Sequence, residues 1–228
     1  MVVSIVIAFG LDAFWEESKE RRDLHEDLAN ISSELQENRA RVEYHLDLAE
    51  RMVTAFDVLI GAIDADQGAA TVPDTTLWLT SITPSLDASL GAIDALLASG
   101  RMAVVGDPEL SRRLAGLRDR VEDAVEEQVQ AHEIYFSVIL PRLKGDSWRG
   151  TRHIGEEFWA QERVPGRLLA YRSEVVFADG VDLLYELNVR RTLYYVTLGE
   201  LRGLLDEFDS IEDLIDVEVG SRASRSTF

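Results

Sequence analysis

The chain has 228 residues, 46% of them hydrophobic, with no cysteine and a formal net charge of −19. That length and hydrophobic fraction supply a sizeable core and exclude disorder as the reading of the whole chain. The acidic excess excludes nucleic acid as a partner and disfavours lying flat on an anionic lipid surface, and the lack of cysteine excludes disulfides, thiolate metal sites and a cysteine nucleophile.

The first fifteen residues are almost entirely apolar. Val2, Val3, Ile5, Val6, Ile7, Phe9 and Leu11 surround a helix on all sides, where a surface helix shows a polar face. Phe14 and Trp15 follow at the place of interfacial aromatics, just before the charged run from Glu16 to Asp23. These nine residues are expected to anchor the chain in a lipid bilayer. Fifteen helical residues reach roughly 22 Å, short of the ~30 Å hydrocarbon core. The shortness is expected to reflect either missing upstream residues or packing against other membrane helices. No lysine or arginine precedes Lys19 and no small-x-small site follows, so a cleaved signal does not fit. A buried end of a core helix is the alternative reading.

From Leu24 the helix carries a seam at alternating steps of four and three: Leu24, Leu28, Ile31, Leu35, Asn38, Val42, His45, Ala49, Met52, Phe56, Leu59 and Ile63. The average step of about 3.5 residues is that of a helix packed lengthwise on partner helices. Asn38 and His45 interrupt it and are read as register-fixing polar groups.

Residues 67–83 break the period. Gly68, Pro73 and Asp74 mark a loop, with Leu77 to Leu79 dipping into the core around Trp78. Thr83 and Pro84 read as the cap and first turn of a short helix with Leu86, Leu90, Ile93 and Leu97 on one face, ended by a left-handed Gly100. Asp107-Pro108-Glu109 opens the next long helix. Its seam is Leu110, Leu114, Leu117, Val121, Ala124, Gln128, Ala131, Tyr135 and Val138, and Pro141 stops it near Leu140. Residues 141–178 read as an irregular connection. The last helix is expected from about Asp179 to Glu218, with a seam of Leu184, Leu187, Arg191, Tyr194, Leu198, Leu201, Leu205, Phe208, Ile211 and Ile215. Arg191 is expected to pair with a carboxylate. Residues 220–228 read as a mobile tail.

The expected fold is therefore all-α without a sheet: an anchor helix (1–15) continuous with an elongated antiparallel bundle of three long helices and shorter ones (16–219).

The search for chemistry finds little. None of His25, His45, His132 and His153 has a glutamate three residues before it, so no Glu-x-x-His di-iron pair exists. No His-x-x-x-His pair, Gly-x-Ser-x-Gly elbow, P-loop or dinucleotide glycine pattern is present. Carboxylates such as Asp206, Glu207, Asp209, Glu212 and Asp213 follow one helix and cannot wrap an ion as a loop does. No catalytic residue, cofactor or metal is expected. Trp148, Arg149, Arg152, Phe158 and Trp159 stand out instead, being aromatics and arginines in a locally basic stretch of an acidic chain. They are of the types enriched at interface hot spots and are read as contacts to other subunits.

The segment from Val2 to Arg39, together with Ile93-Asp94-Ala95-Leu96-Leu97-Ala98-Ser99-Gly100-Arg101 and Gly106-Asp107-Pro108-Glu109-Leu110, resembles a group of uncharacterised bacterial signal-anchored helical proteins. That likeness covers the larger part of the chain and weakens from 141 to 178. It implies a single-pass inner-membrane anchor with the helical domain in the periplasm, and supplies no catalytic residues. Lys19, Arg21 and Arg22, counted alone, would put the domain in the cytoplasm. The functional expectation is an accessory or scaffolding subunit of a membrane complex, with a periplasmic ligand-sensing bundle, its polar seam residues lining the site, as the alternative.

Overall fold

The computed structural model describes residues 2–66, 70–143, 174–177 and 180–225, with side chains except at 2–14, 17, 174, 175 and 222–225. In order the elements are helix α1 (Val2–Ala65), strand β1 (Ala70–Pro73), α2 (Asp74–Ser81), α3 (Gly91–Ala98) and a 3-10 turn (Arg101–Val104). There follow α4 (Pro108–Ile134), a π-helical turn (Tyr135–Ile139), α5 (Leu140–Arg142), β2 (Glu174–Phe177) and α6 (Gly180–Arg225). Helix accounts for 87% of the described residues. Among the described residues no helix is long and apolar enough to cross a membrane.

The chain divides into two compact units, and the long helices contribute to both. The first unit comprises Met1–Val42, Asp87–Val121 and Gly203–Phe228. Its buried side chains include Leu24, Leu28, Ile31 and Leu35 of α1, Ile93 and Leu96 of α3, Leu110, Leu114 and Leu117 of α4, and Phe208, Ile211 and Ile215 of α6. Arginines stitch its elements: Arg39 to Asp209 and Glu212, Arg101 to Asp27, Arg113 to Glu207 and Arg118 to Asp94. Gly100 takes the left-handed conformation expected after α3, with φ 73°. Asp107 caps α4 as expected, its Oδ1 accepting from the backbone N–H of Glu109 at 2.8 Å and of Leu110 at 3.1 Å.

The second unit comprises Glu43–Leu86 and Glu122–Arg202. Its core joins Met52, Phe56, Leu59 and Ile63 of α1 to Leu77, Tyr135, Ile139, Phe177, Leu187 and Tyr194. Here the sheet-free expectation fails. β1 and β2 pair antiparallel, Ala70 opposite Phe177 and Pro73 opposite Glu174. Ala70 and Val72 turn inward while Thr71 and Pro73 face out, the two-residue alternation of a half-buried strand. Pro73 sits at the strand end, where a missing N–H costs least. Leu77 and Trp78 are buried as expected, but on α2 rather than in a loop.

The α1 seam is buried from Leu24 to Ile63, except His45, which is half-buried. Four other expectations need correction. Thr83-Pro84 does not open a helix; residues 82–90 are irregular and α3 begins at Gly91. Side chains take the backbone groups that a helix would have used. Gln128 Oε1 accepts from the Leu86 N–H at 2.9 Å, and Asn38 Oδ1 from the Ser89 N–H at 2.9 Å. Just past the end of α4, Ile139 rather than Val138 is buried, because the π turn takes up one extra residue. On α6 the buried positions are Leu183, Arg190 and Leu204, not Leu184, Arg191 and Leu205. α6 also continues past Glu218 to Arg225, where a mobile tail was expected.

Candidate functional site

The most unusual arrangement lies in the second unit and centres on Arg190, which is completely buried. It sits on α6 with Leu187 and Tyr194, one turn before and one turn after it, on the same inward face. Helix α2 ends at Ser81, and its last carbonyls have no partner within the helix. Arg190 supplies partners: Nη1 donates to the Thr80 carbonyl and Nη2 to the Ile82 carbonyl at 3.0 Å. The guanidinium thus caps the negative end of α2. Nε donates to the Ala131 carbonyl of α4 at 3.0 Å.

Three rings enclose the cation. Its central carbon lies 5.4 Å from the Phe56 centroid, 5.0 Å from Tyr135 and 5.7 Å from Tyr194. Phe56 and Tyr194 stack on each other at 6.1 Å. Removing a guanidinium from water costs several kcal/mol. Charge-assisted hydrogen bonds of about 1.5–3 kcal/mol each and desolvated cation–π contacts of roughly 2 kcal/mol offset that cost. Among the described residues no carboxylate pairs with Arg190. Burial pulls its pKa down, and the neighbouring tyrosines act in the opposite direction. Burial pushes the Tyr194 hydroxyl up, as it does Tyr135, with the Arg190 charge opposing both. The Tyr194 hydroxyl has no hydrogen-bond partner among the described residues.

A recess of about 10 Å³, room for one water, lies nearby in the same unit, lined by Leu59, Leu77, Thr80, Ser81, Ile139, Leu143, Phe177 and Leu187. A permanently charged guanidinium is neither a general acid nor a base at ordinary pH. What this cluster does is tie α2, α4 and α6 together through backbone atoms.

The polar interruptions of the seams are used in the same way. In the first unit, Asn38 is fully buried and clasps Ser89 with both amide atoms; Nδ2 donates to the Ser89 carbonyl at 2.5 Å. Arg41 adds a third bond to Asn38 Oδ1 at 3.1 Å. Glu34 holds the start of α3 through the Ala92 N–H at 3.0 Å and the Ser89 hydroxyl at 2.8 Å. Arg191 has the carboxylate partner expected of it, Asp57, at 2.9 Å, but on the half-exposed side of α6. His45 packs edge-on to Tyr44 at 5.5 Å, and burial lowers its pKa.

Of the expected anchor residues, Val2, Val3, Ile5, Val6, Ile7, Phe9, Leu11 and Phe14 lie on the helical backbone of α1, with side chains outside the described set. Trp15 is 69% exposed. The expected contact residues Trp148, Arg149, Arg152, Phe158 and Trp159 lie outside the described residues. Among the described residues no group of three or more histidine, aspartate or glutamate side chains is arranged to hold a metal ion. Arg190 itself was missed by the sequence reading. Its only signal was adjacency to Arg191, which has the same chemistry one position on.

No family model, curated protein or solved structure matches the chain.

Proposed function

We propose that this chain is a non-catalytic, membrane-anchored helical subunit, an accessory or scaffolding part of a larger bacterial membrane complex. In this reading residues 1–15 hold it in the inner membrane and the helical domain lies in the periplasm. The connection from Pro141 to Ala178 meets other subunits through Trp148, Arg149, Arg152, Phe158 and Trp159.

The observation that carries the reading over its rival is where the buried polar groups are spent. Asn38, Gln128 and Arg190 each bond backbone groups of this chain. A ligand-sensing bundle needs such groups left open toward a cavity, whereas a rigid scaffold uses them to fix register. The exposed Trp15 at the edge of the apolar run agrees with an interfacial aromatic.

The test is purification of the native chain in mild detergent, with and without Trp148→Ala and Trp159→Ala. The double variant is expected to lose its co-purifying subunits while circular dichroism stays unchanged. Unchanged co-purification would contradict the contact, and a loss of helix would make these aromatics part of the fold instead. A stoichiometric transition metal in the purified protein would overturn the non-catalytic reading.

A further inference from the structure

The outward face of α6 in the second unit carries no charge. Val181, Tyr185, Asn188, Thr192, Val196 and Gly199 follow one another by four or three residues and share that face over about 27 Å. Asn188 is half-buried and the others are exposed, Tyr185 with 77% of its surface in solvent and Val181 with 62%. In a chain with 29% charged residues, a solvent-facing stripe without one marks an interaction surface.

Gly199 is a second, separate observation. Glycine inside a helix costs stability against alanine. A Cβ built at Gly199 meets nothing within 4 Å, so packing among the described residues does not require a glycine there. A helical position that is exposed and has no side chain lets another backbone come close.

The two edges of the stripe differ in charge. On one, Arg191 pairs with Asp57 of α1 at 2.9 Å and Arg202 with Glu50 at 2.8 Å, so these charges are engaged. On the other, Asp182 and Glu200 stand about five turns apart at the same helical angle. Neither carboxylate has an ion-pair partner among the described residues. A second copy of the chain would meet this edge with the same acids and a net charge of −19, whereas a cationic edge complements it.

We propose that this face of α6 is a docking surface for a helix of another protein, one with an apolar stripe and with lysine or arginine along one edge. Val181 and Tyr185 pack on the partner's stripe, Gly199 admits its backbone, and Asp182 and Glu200 each take one cation. The surface is separate from the contact assigned to residues 141–178 and does not depend on it.

Fluorescence anisotropy with two synthetic helices and the full chain tests this at physiological salt. Both helices have a leucine–alanine stripe and glutamines on the back. One carries two lysines on its edge at the spacing of Asp182 and Glu200, and the other carries two glutamates there. The native chain is expected to bind the lysine helix at least about tenfold more tightly. Gly199→Leu favours the α6 helix but blocks the approach, and should weaken that binding about tenfold. Asp182→Lys with Glu200→Lys should turn the preference toward the glutamate helix. Glu122→Lys with Asp123→Lys makes the same change of net charge at exposed positions of α4 and should leave the binding as it was. Absence of a preference in the native chain would overturn the proposal. So would an equal loss in the α4 pair, which would mean a general attraction to an acidic protein. Dimerisation of the native chain that Gly199→Leu abolishes would overturn it in favour of a second copy.

Discussion

Asn38 and Ser89 bond each other twice: the Ser89 N–H donates to Asn38 Oδ1 at 2.9 Å, and Asn38 Nδ2 donates to the Ser89 carbonyl at 2.5 Å. One fully buried amide thereby satisfies both backbone groups of a residue that belongs to no helix or strand. Asn38→Ala removes two part-buried hydrogen bonds, at about 0.5–1.5 kcal/mol each. Its urea unfolding midpoint should fall clearly, with helix content little changed in the absence of denaturant. An unchanged midpoint would mean that water replaces the amide without cost.

Arg190 and Arg191 should respond very unequally to the same change. Arg190→Ala strips three carbonyls and three rings of their shared partner, and the stranded carbonyls cost about 1–3 kcal/mol for each that stays buried. Arg191→Ala removes a half-exposed pair with Asp57, worth about 0–1 kcal/mol. Thermal unfolding of the two variants side by side checks this. A larger loss for Arg191→Ala than for Arg190→Ala would place α6 in the other register.

The pH dependence has a defined sign at Glu109. Its hydrogen bond to Arg112, helped by Arg113, holds its carboxyl at about 2, below the model-peptide carboxylate value. A carboxyl depressed in the folded state contributes stability above its unfolded pKa, about 4.3. That contribution is lost as pH falls from there through about 2. NMR titration at low salt should show the Glu109 carboxyl protonating well below the ordinary carboxylate range. Added salt should raise its pKa, because the group is solvent-facing. A normal titration would mean that the fork to Arg112 and Arg113 does not persist in solution.

Much of the fold was legible because long helices repeat one signal many times. The α1 seam from Leu24 to Ile63 and the Asp107-Pro108 start are cases where local chemistry and packing agree. The misses have specific causes. α6 carries doublets at Leu183-Leu184, Arg190-Arg191, Tyr194-Tyr195 and Leu204-Leu205. Either member of each doublet satisfies an apolar or polar pattern, so a one-residue slip leaves no trace in the sequence. The π turn is hidden for the same reason, since Val138 and Ile139 are interchangeable by type. The β1–β2 ladder joins Ala70 to Phe177, far apart in the chain, and four-residue strands carry too little alternation to be seen. Thr83-Pro84 obeys the helix-start rule, but Asn38 and Gln128 reach the backbone first. The Arg190 cage needed four separate elements in place before it existed, so no local motif announced it.

The central claim is that residues 1–15 hold the chain in a membrane, and one fractionation tests it most directly. Membranes from the expressing host are washed with alkaline carbonate, for the full chain and for a chain beginning at Glu16. The account predicts that the full chain stays in the pellet and the shortened one is recovered soluble. Release of the full chain by carbonate would contradict it.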